Sequence, residues 1–186
     1  MKLDVCPLSI PDLKLISSPR WADGRGYFAE TYVRRDFVAA GLDYDFVQDN
    51  QTLSHVAGTV RGLHFQIAPF AQAKLIRVLR GRIFDVAVDV RHSSPTYGRH
   101  ASVELDSIDG RQLLIPHGFA HGFCALEPKT EILYKVTNVY ASEYDYGVYW
   151  NDPRLGIPWP AVASEDVISE KDRTLPRLAD LPVYFE

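Results

Sequence analysis

The strongest constraint on the fold of this chain is a period of two in its apolar residues. Within the segment from Phe84 to Val90, every second residue is phenylalanine or valine, and two of the residues between them are aspartates. Successive side chains of a β-strand point to opposite faces, so this alternation predicts a strand whose two faces meet different surroundings. We expect the face that carries Asp85 and Asp89 to be structural or interfacial rather than catalytic.

Shorter segments of the same character, separated by turn residues, predict further strands. We expect strands at 28–33, 75–79, 84–91, 101–105, 112–115, 122–126 and 132–139. Gly81 is expected to turn a hairpin between the second and third of them. Helical signals are confined to 34–40, closed by Gly41, and to a Ser-Glu-Lys-Asp capping box that begins at Ser169. Many short strands with close turns indicate an all-β antiparallel barrel or sandwich with a few short helices.

Length and charge limit the remaining classes of protein. A chain of 186 residues with no repeat or linker fits one domain, 1–186. The net charge of -4 and the lack of a basic run argue against nucleic-acid binding. No apolar segment is long enough for a signal peptide or a membrane span, so we expect a cytoplasmic protein without a membrane partner. Cys6 and Cys124 lie far apart and are interpreted as reduced thiols.

An arginine between two glycines precedes an aromatic pair near the N-terminus. Arg25 is followed closely by Tyr27 and Phe28, and Glu30 completes the motif. One interpretation is a surface turn, and the other is a phosphate-binding arginine beside a ring that can stack on a base. Alternation allows only one of the two rings to face a pocket, and the sequence leaves open which one.

A second group of polar residues is predicted to share one face of neighbouring strands. His64 and Gln66 alternate with Leu63 and Phe65, and amide side chains occur shortly before them. A single histidine in a strand is more often structural than catalytic, but several polar groups on nearby strands favour a polar cavity. Tyr134 is expected to face inward, either as a core tyrosine or as a general acid.

The segment 116–121 matches a motif of cupin barrels, in which the final histidine often binds a metal. A metal-binding cupin also has a second histidine and a glutamate in its first motif. Here Gln66 replaces that histidine, and the downstream polar residue is Lys74, which is no metal ligand while protonated. The sequence therefore predicts a barrel without a metal. A metal-dependent enzyme that uses His64, His117 and His121 is the competing hypothesis.

Taken in order, the motifs of this chain resemble those of the dTDP-4-dehydrorhamnose 3,5-epimerases over nearly the whole length. The resemblance runs through Arg-Gly-Tyr-Phe-Ala-Glu at 25–30, Val-Gln-Asp-Asn at 47–50, Arg-Gly-Leu-His-Phe-Gln at 61–66, and the segments 84–89, 94–96, 115–123, 134–135 and 150–153. It implies a cupin-like antiparallel jelly-roll barrel that forms a homodimer and uses no cofactor or metal. The implied reaction converts dTDP-4-dehydro-6-deoxy-D-glucose into dTDP-4-dehydro-L-rhamnose.

The resemblance also implies roles for individual residues. It makes His64 the base, Tyr134 the acid, Asp172 the carboxylate that orients His64, and Lys74 the cation near the ketone. Substrate binding falls on Arg25, Glu30, Gln48, Asn50, Arg61, His121, Asp145 and Lys171, although the sequence at 143–146 departs from the usual pattern. Because Tyr27 and Phe28 lie beside Arg25, we expect one of them to pack against the thymine or the sugar. Asp172 can also be read as the end of a capping box. The same motifs are compatible with an epimerase that inverts only C3 or only C5, and with a barrel that only binds a sugar nucleotide.

Overall fold

A computed structural model describes residues 3–186, which form two antiparallel sheets and a separate two-stranded ribbon. The strands are β1 Asp4–Pro7, β2 Lys14–Ser17, β3 Trp21–Asp23, β4 Gly26–Phe28, β5 Gln48–Ser54, β6 Val60–Gln66, β7 Lys74–Arg80, β8 Arg82–Asp89, β9 His100–Asp106, β10 Gln112–Ile115, β11 Phe119–Ala125, β12 Thr130–Val136 and β13 Asp145–Gly147. The helices are α1 Arg34–Ala39 and α2 Glu170–Arg173, with 3-10 turns at Ser142–Tyr144, Glu165–Val167 and Leu178–Asp180. No helix among the described residues is long and apolar enough to cross a membrane.

The order of the strands follows a jelly roll, as the alternation predicts. One sheet has the order β1-β2-β10-β7-β12-β5, and the other has the order β13-β6-β11-β8-β9. Within residues 3–186, strands β3 and β4 pair only with each other. The all-β prediction is therefore confirmed, and so is the helix closed by Gly41, which has a φ of 80°.

Two predictions about local pairing are wrong. The strand expected at 28–33 ends at Phe28, because β4 pairs with the three-residue β3 and none of the other described strands continues the pairing beyond Trp21. Tyr32 instead packs against the rings of Phe37 and Phe46. The expected hairpin at Gly81 is also absent from the described residues, since β7 and β8 belong to different sheets and the turn carries the chain from one sheet to the other.

The main hydrophobic core lies between the two sheets. Its buried side chains come from both of them and include Ile76, Val78, Leu113, Ile115 and Ile132 from one sheet and Ile83, Ala87, Ala101, Leu105 and Phe123 from the other. Burying one large aliphatic or aromatic side chain contributes about 1.5–3 kcal/mol. This core fills one side of the barrel and leaves the interior near β5, β6 and β12 open.

The outer face of the five-stranded sheet is also buried. Val86 and Val88 of β8 lie there, and the C-terminal segment covers them with residues that include Leu178, Leu181, Tyr184 and Phe185. The polar face of β8, with Asp85 and Asp89, therefore points to the interior. Asp89 accepts hydrogen bonds from Arg91, Ser94 and Thr96 and shapes the following loop, which is a structural role.

Strands β6 and β11 approach unusually closely at a pair of glycines. Gly62 has a φ of 113°, and a Cβ added to it would lie 2.6 Å from the Cα of Gly122 and from the carbonyl oxygen of His121. The pairing register shifts at this point, between His121 and Phe123. Only glycine fits at position 62, both for its backbone conformation and for the close contact.

Candidate active site

The open side of the barrel contains a cleft of about 550 Å³ between the two sheets. Its lining includes all four predicted catalytic residues, His64, Lys74, Tyr134 and Asp172, and three of the predicted binding residues, Arg61, His121 and Lys171. An adjoining polar lobe of about 440 Å³ shares His64, Lys74 and Tyr134 and adds Gln48, Asn50, Gln66, Tyr140 and Asp145. The polar cavity favoured by the sequence is thus present, and the structure shows that side chains of both sheets line it.

His64 lies on β6 and is held by a carboxylate from α2. Its Nε2 is 2.7 Å from Oδ1 of Asp172, and the other carboxylate oxygen accepts the backbone N–H of Gly62 at 3.1 Å. Because an ionised carboxylate only accepts hydrogen bonds, Nε2 carries the proton in this pair. Nδ1 is then the nitrogen left to accept a proton.

The two interpretations of Asp172 apply to different parts of the same residue. Its backbone N–H donates to the Oγ of Ser169, which caps α2. The carboxylate, however, is directed to His64 and Gly62. Burial acts to raise the pKa of Asp172, but the hydrogen bond from His64, together with those from Gly62 and Ser169, leaves the pKa below its ordinary value. The side chain therefore stays ionised beside the imidazole.

Lys74 is the first residue of β7 and is buried at the junction of the cleft and the polar lobe. Its Nζ donates to the backbone carbonyl of His64 at 3.2 Å. Burial lowers the pKa of Lys74 from its ordinary value to about 8, while the charges of Asp145 and Asp85 act in the opposite direction. A cation in so dry a position interacts strongly with any negative charge that develops nearby.

Tyr134 faces the cleft from β12, in the sheet opposite His64. As predicted, it lies on the same face as Ile132, and it packs against the main core. Burial raises the pKa of Tyr134, and the charge of Arg61 opposes this effect. The phenol therefore keeps its proton at neutral pH and remains able to donate it.

His121 contacts the cleft from β11 and makes a second histidine–carboxylate pair. Its Nε2 is 2.9 Å from Oδ1 of Asp85, and both residues are buried. Asp85 is the buried partner of a cleft residue, and sequence reasoning missed this role because alternation alone did not show which face of β8 points inward.

The polar lobe brings together the remaining predicted residues of the interior. Lys171 donates to Oδ2 of Asp145 at 2.5 Å, and the hydroxyl of Tyr140 donates to the same oxygen at 3.1 Å. Gln48 donates to Asn50 at 2.8 Å. Tyr140 was also missed, since nothing in its local pattern distinguishes it from other exposed tyrosines.

Four predicted binding residues lie away from the cleft. Arg25, Tyr27, Phe28 and Glu30 belong to the ribbon β3–β4 or follow it, and all are exposed. Arg25 forms an ion pair with Asp23 at 2.6 Å. The two rings occupy different environments, because Phe28 stacks on Trp21 while Arg20 lies over Tyr27.

The residues required by a metal-dependent enzyme do not converge. His117 contacts the hydroxyl of Thr137 and lines a different depression from His64 and His121. Gln66, in the place of the second histidine, is buried and binds backbone groups of Phe70, Val139 and Ala141. Within residues 3–186, no group of three or more His, Cys, Asp or Glu side chains could hold a metal ion.

Comparison with known proteins agrees with this arrangement. A family model described as dTDP-4-dehydrorhamnose 3,5-epimerase matches residues 7–180. A protein of that name from Sinorhizobium fredii (strain NBRC 101917 / NGR234) is 52% identical over 179 residues, which cover 96% of this chain and 91% of the relative.

Solved structures show the same fold. The crystal structure of a dTDP-4-dehydrorhamnose 3,5-epimerase from Bacillus anthracis, with TDP and PPi bound, has a TM-score of 0.90 at 46% identity and covers 94% of this chain and 99% of that chain. The crystal structure of a dTDP-6-deoxy-D-glucose-3,5-epimerase from Legionella pneumophila, in complex with dTDP-4-keto-L-rhamnose, has a TM-score of 0.91 at 38% identity and covers 97% and 95%.

These similarities define the class of protein: the chain is a cupin-like jelly roll of the sugar-nucleotide isomerase type. Within that class, the chain belongs to the dTDP-4-dehydrorhamnose 3,5-epimerase family.

Proposed function

We propose that this protein epimerises C3 and C5 of dTDP-4-dehydro-6-deoxy-D-glucose and thereby forms dTDP-4-dehydro-L-rhamnose. The observation that carries the proposal is the placement of a carboxylate-held histidine and a protonated phenol on opposite sheets of one cleft. Inversion at carbon requires a proton to leave from one face and to arrive on the other. A cleft that only bound a sugar nucleotide would need neither group.

The C4 ketone of the substrate explains how one site can act on two carbons. It acidifies the hydrogens on both C3 and C5, because each carbanion delocalises into an enolate. Nδ1 of His64 removes the proton, and Asp172 stabilises the imidazolium that forms. Lys74 stabilises the negative charge on the ketone oxygen, and one such donor typically contributes about 2.7–4 kcal/mol to lowering the barrier. Tyr134 then donates a proton to the opposite face.

The charges of the cleft support binding of a nucleoside diphosphate. Arg61, His121 and Lys171 offer cationic or donor groups to the two phosphates. Gln48 and Asn50 add amides to the polar lobe, where Asp145 accepts hydrogen bonds from its neighbours. The ring of Tyr140 is 59% exposed beside this lobe and is available to stack on the base.

The exposed ribbon supports a homodimer. The family resemblance assigns Arg25 and Glu30 to substrate binding, and Tyr27 or Phe28 is expected to pack against the substrate beside them, yet all four lie on the surface of their own chain. A second copy whose ribbon reached this cleft would supply an arginine and an aromatic ring to the nucleotide. We further propose that residues 1–186 work as one domain, in the cytoplasm, and without a metal or cofactor.

Proton NMR of the substrate in D2O with metal-stripped protein tests this function. Deuterium at both C3 and C5, with formation of the L-rhamno product, is the expected result. Inversion at one carbon alone would identify the narrower epimerase, and no exchange at either carbon would overturn the proposal. Replacing His64 by alanine should abolish exchange, whereas replacing His55, an exposed histidine outside the cleft, should leave it unchanged.

A further inference from the structure

Two histidines of the cleft lining each pair with a carboxylate, and only the pair of His64 with Asp172 takes part in the proton transfer proposed above. His121 lies directly opposite His64 in the pairing of β11 with β6. Its Nε2 contacts Oδ1 of Asp85 at 2.9 Å, just as Nε2 of His64 contacts Oδ1 of Asp172 at 2.7 Å. Asp85 comes from β8, the strand on the other side of β11.

Asp85 is a destabilising residue at its position in the fold. The side chain is fully buried, and among the described residues its Oδ2 has no hydrogen-bond partner. The neighbours on the same face of β8 are Ile83 and Ala87, which belong to the main core. An unpaired carboxylate oxygen in such surroundings destabilises the fold, and an apolar side chain would pack there at lower cost. A buried carboxylate that binds a histidine of the cleft lining therefore points to function rather than to stability.

Asp89 shows what a structural carboxylate looks like on the same strand. It is equally buried, but both of its oxygens accept hydrogen bonds, from Arg91, Ser94 and Thr96. These contacts fix a loop outside the cleft, and none of the three donors lines the cleft. Asp85, in contrast, receives one hydrogen bond from the described side chains. Its donor is His121, whose ring lines the cleft.

We propose that Asp85 is a positioning residue that acts through His121. It holds the His121 ring with Nε2–H directed into the sheet, so that Nδ1 is presented to the substrate. When the diphosphate or the enolate oxygen lies against Nδ1, the carboxylate on the far side of the ring stabilises the positively charged imidazole. This inference rests on the proposed function, because it assigns a partner to a residue of that same site.

A double-mutant cycle tests whether Asp85 acts through His121. We expect Asp85→Asn to lower kcat/KM for the keto sugar by about tenfold to 100-fold, the range known for loss of the hydrogen-bond partner of a metal-binding histidine. His121→Ala should lower it at least as much, and the double variant should be no worse than His121→Ala alone. Asp89→Asn is the matched control, since it removes a buried carboxylate from the same strand without altering the cleft.

The outcomes separate this inference from the function on which it rests. The role of Asp85 would be overturned if the effects of the two substitutions were additive, or if Asp85→Asn had the kcat/KM of the unmodified protein. In both cases the unmodified protein would still exchange its substrate protons, so the proposed function would stand. If the unmodified protein shows no exchange, it is the proposed function that fails.

A measurement on the unmodified protein covers the case in which Asp85→Asn does not fold. In ¹⁵N NMR of the histidine rings, His121 should carry a proton on Nε2. A neutral ring with its only proton on Nδ1 would contradict the proposed orientation.

Discussion

Replacing Asp172 by asparagine distinguishes the catalytic role of this residue from its place in a helix cap. The carboxylate contacts His64 and Gly62, whereas the backbone N–H binds Ser169. Asp172→Asn therefore removes the negative charge and keeps the cap. Ser169→Ala removes the cap and keeps the carboxylate, so the two variants form a matched pair.

The expected loss follows from the 2.7 Å hydrogen bond between His64 and Asp172. A hydrogen bond to a charged group contributes about 1.5–3 kcal/mol. Since each ~1.36 kcal/mol is tenfold in rate, Asp172→Asn should slow proton abstraction by about 10- to 150-fold. An asparagine amide can also donate to Nε2, which would move the proton of His64 to Nδ1 and remove the base, so this range is a lower bound.

The assay is the initial rate of deuterium incorporation at C3 and C5 in D2O, measured together with thermal unfolding. Ser169→Ala should lower the free energy of unfolding by about 1 kcal/mol and reduce the exchange rate far less than Asp172→Asn does. The reasoning is refuted if Asp172→Asn exchanges at the unmodified rate. It is also refuted if the two variants lose equal activity, because the cap would then explain the whole effect.

Lys74, Tyr134 and Gly62 each give a further prediction. Burial lowers the pKa of Lys74 from 10.5 to about 8, so kcat/KM should fall as the pH rises through that value, and Lys74→Gln should lack this alkaline limb. Because the unfolded chain binds this proton more tightly than the folded protein does, the free energy of unfolding should rise as the pH increases from about 8 to 10.5. Denaturant unfolding measured across this pH range checks the prediction. Tyr134→Phe should keep exchange of a substrate proton with solvent but lose inversion, and an unchanged yield of product by NMR would remove Tyr134 from the acid role. Gly62→Ala should lower both the unfolding temperature and the exchange rate, because its Cβ would lie 2.6 Å from backbone atoms. Gly41→Ala is the control: φ is positive there but no atom lies within 4 Å of the added Cβ, so only the unfolding temperature should fall.

Alternation along single strands predicted much of the site. It placed His64 and Gln66 opposite Leu63 and Phe65, and the structure puts the first two at the cleft or its polar lobe and the other two in an apolar cluster. It also directed Tyr134 inward. These predictions succeed because a side chain's face depends only on the period of the strand.

The same rule could not show which face of β8 is the interior. Both faces are buried, since the C-terminal segment covers Val86 and Val88 while the polar face points between the sheets. Hydrophobicity therefore gave no contrast between inside and outside, and Asp85 was assigned to structure or an interface. The pairing of His64 with Asp172 was equally beyond local pattern, because the two residues are 108 positions apart.

Because Asp172 is so far along the chain from His64, activity requires the C-terminal segment to be folded onto the barrel. The segment reaches the outer face of the five-stranded sheet through Leu178 and Phe185, and it brings α2 with Asp172 to the cleft. Regions held by fewer buried contacts open at lower free energy than the core of a sheet. Partial denaturation should therefore release the carboxylate from His64 while the barrel is still folded, and exchange activity should disappear at a lower urea concentration than the β-sheet signal.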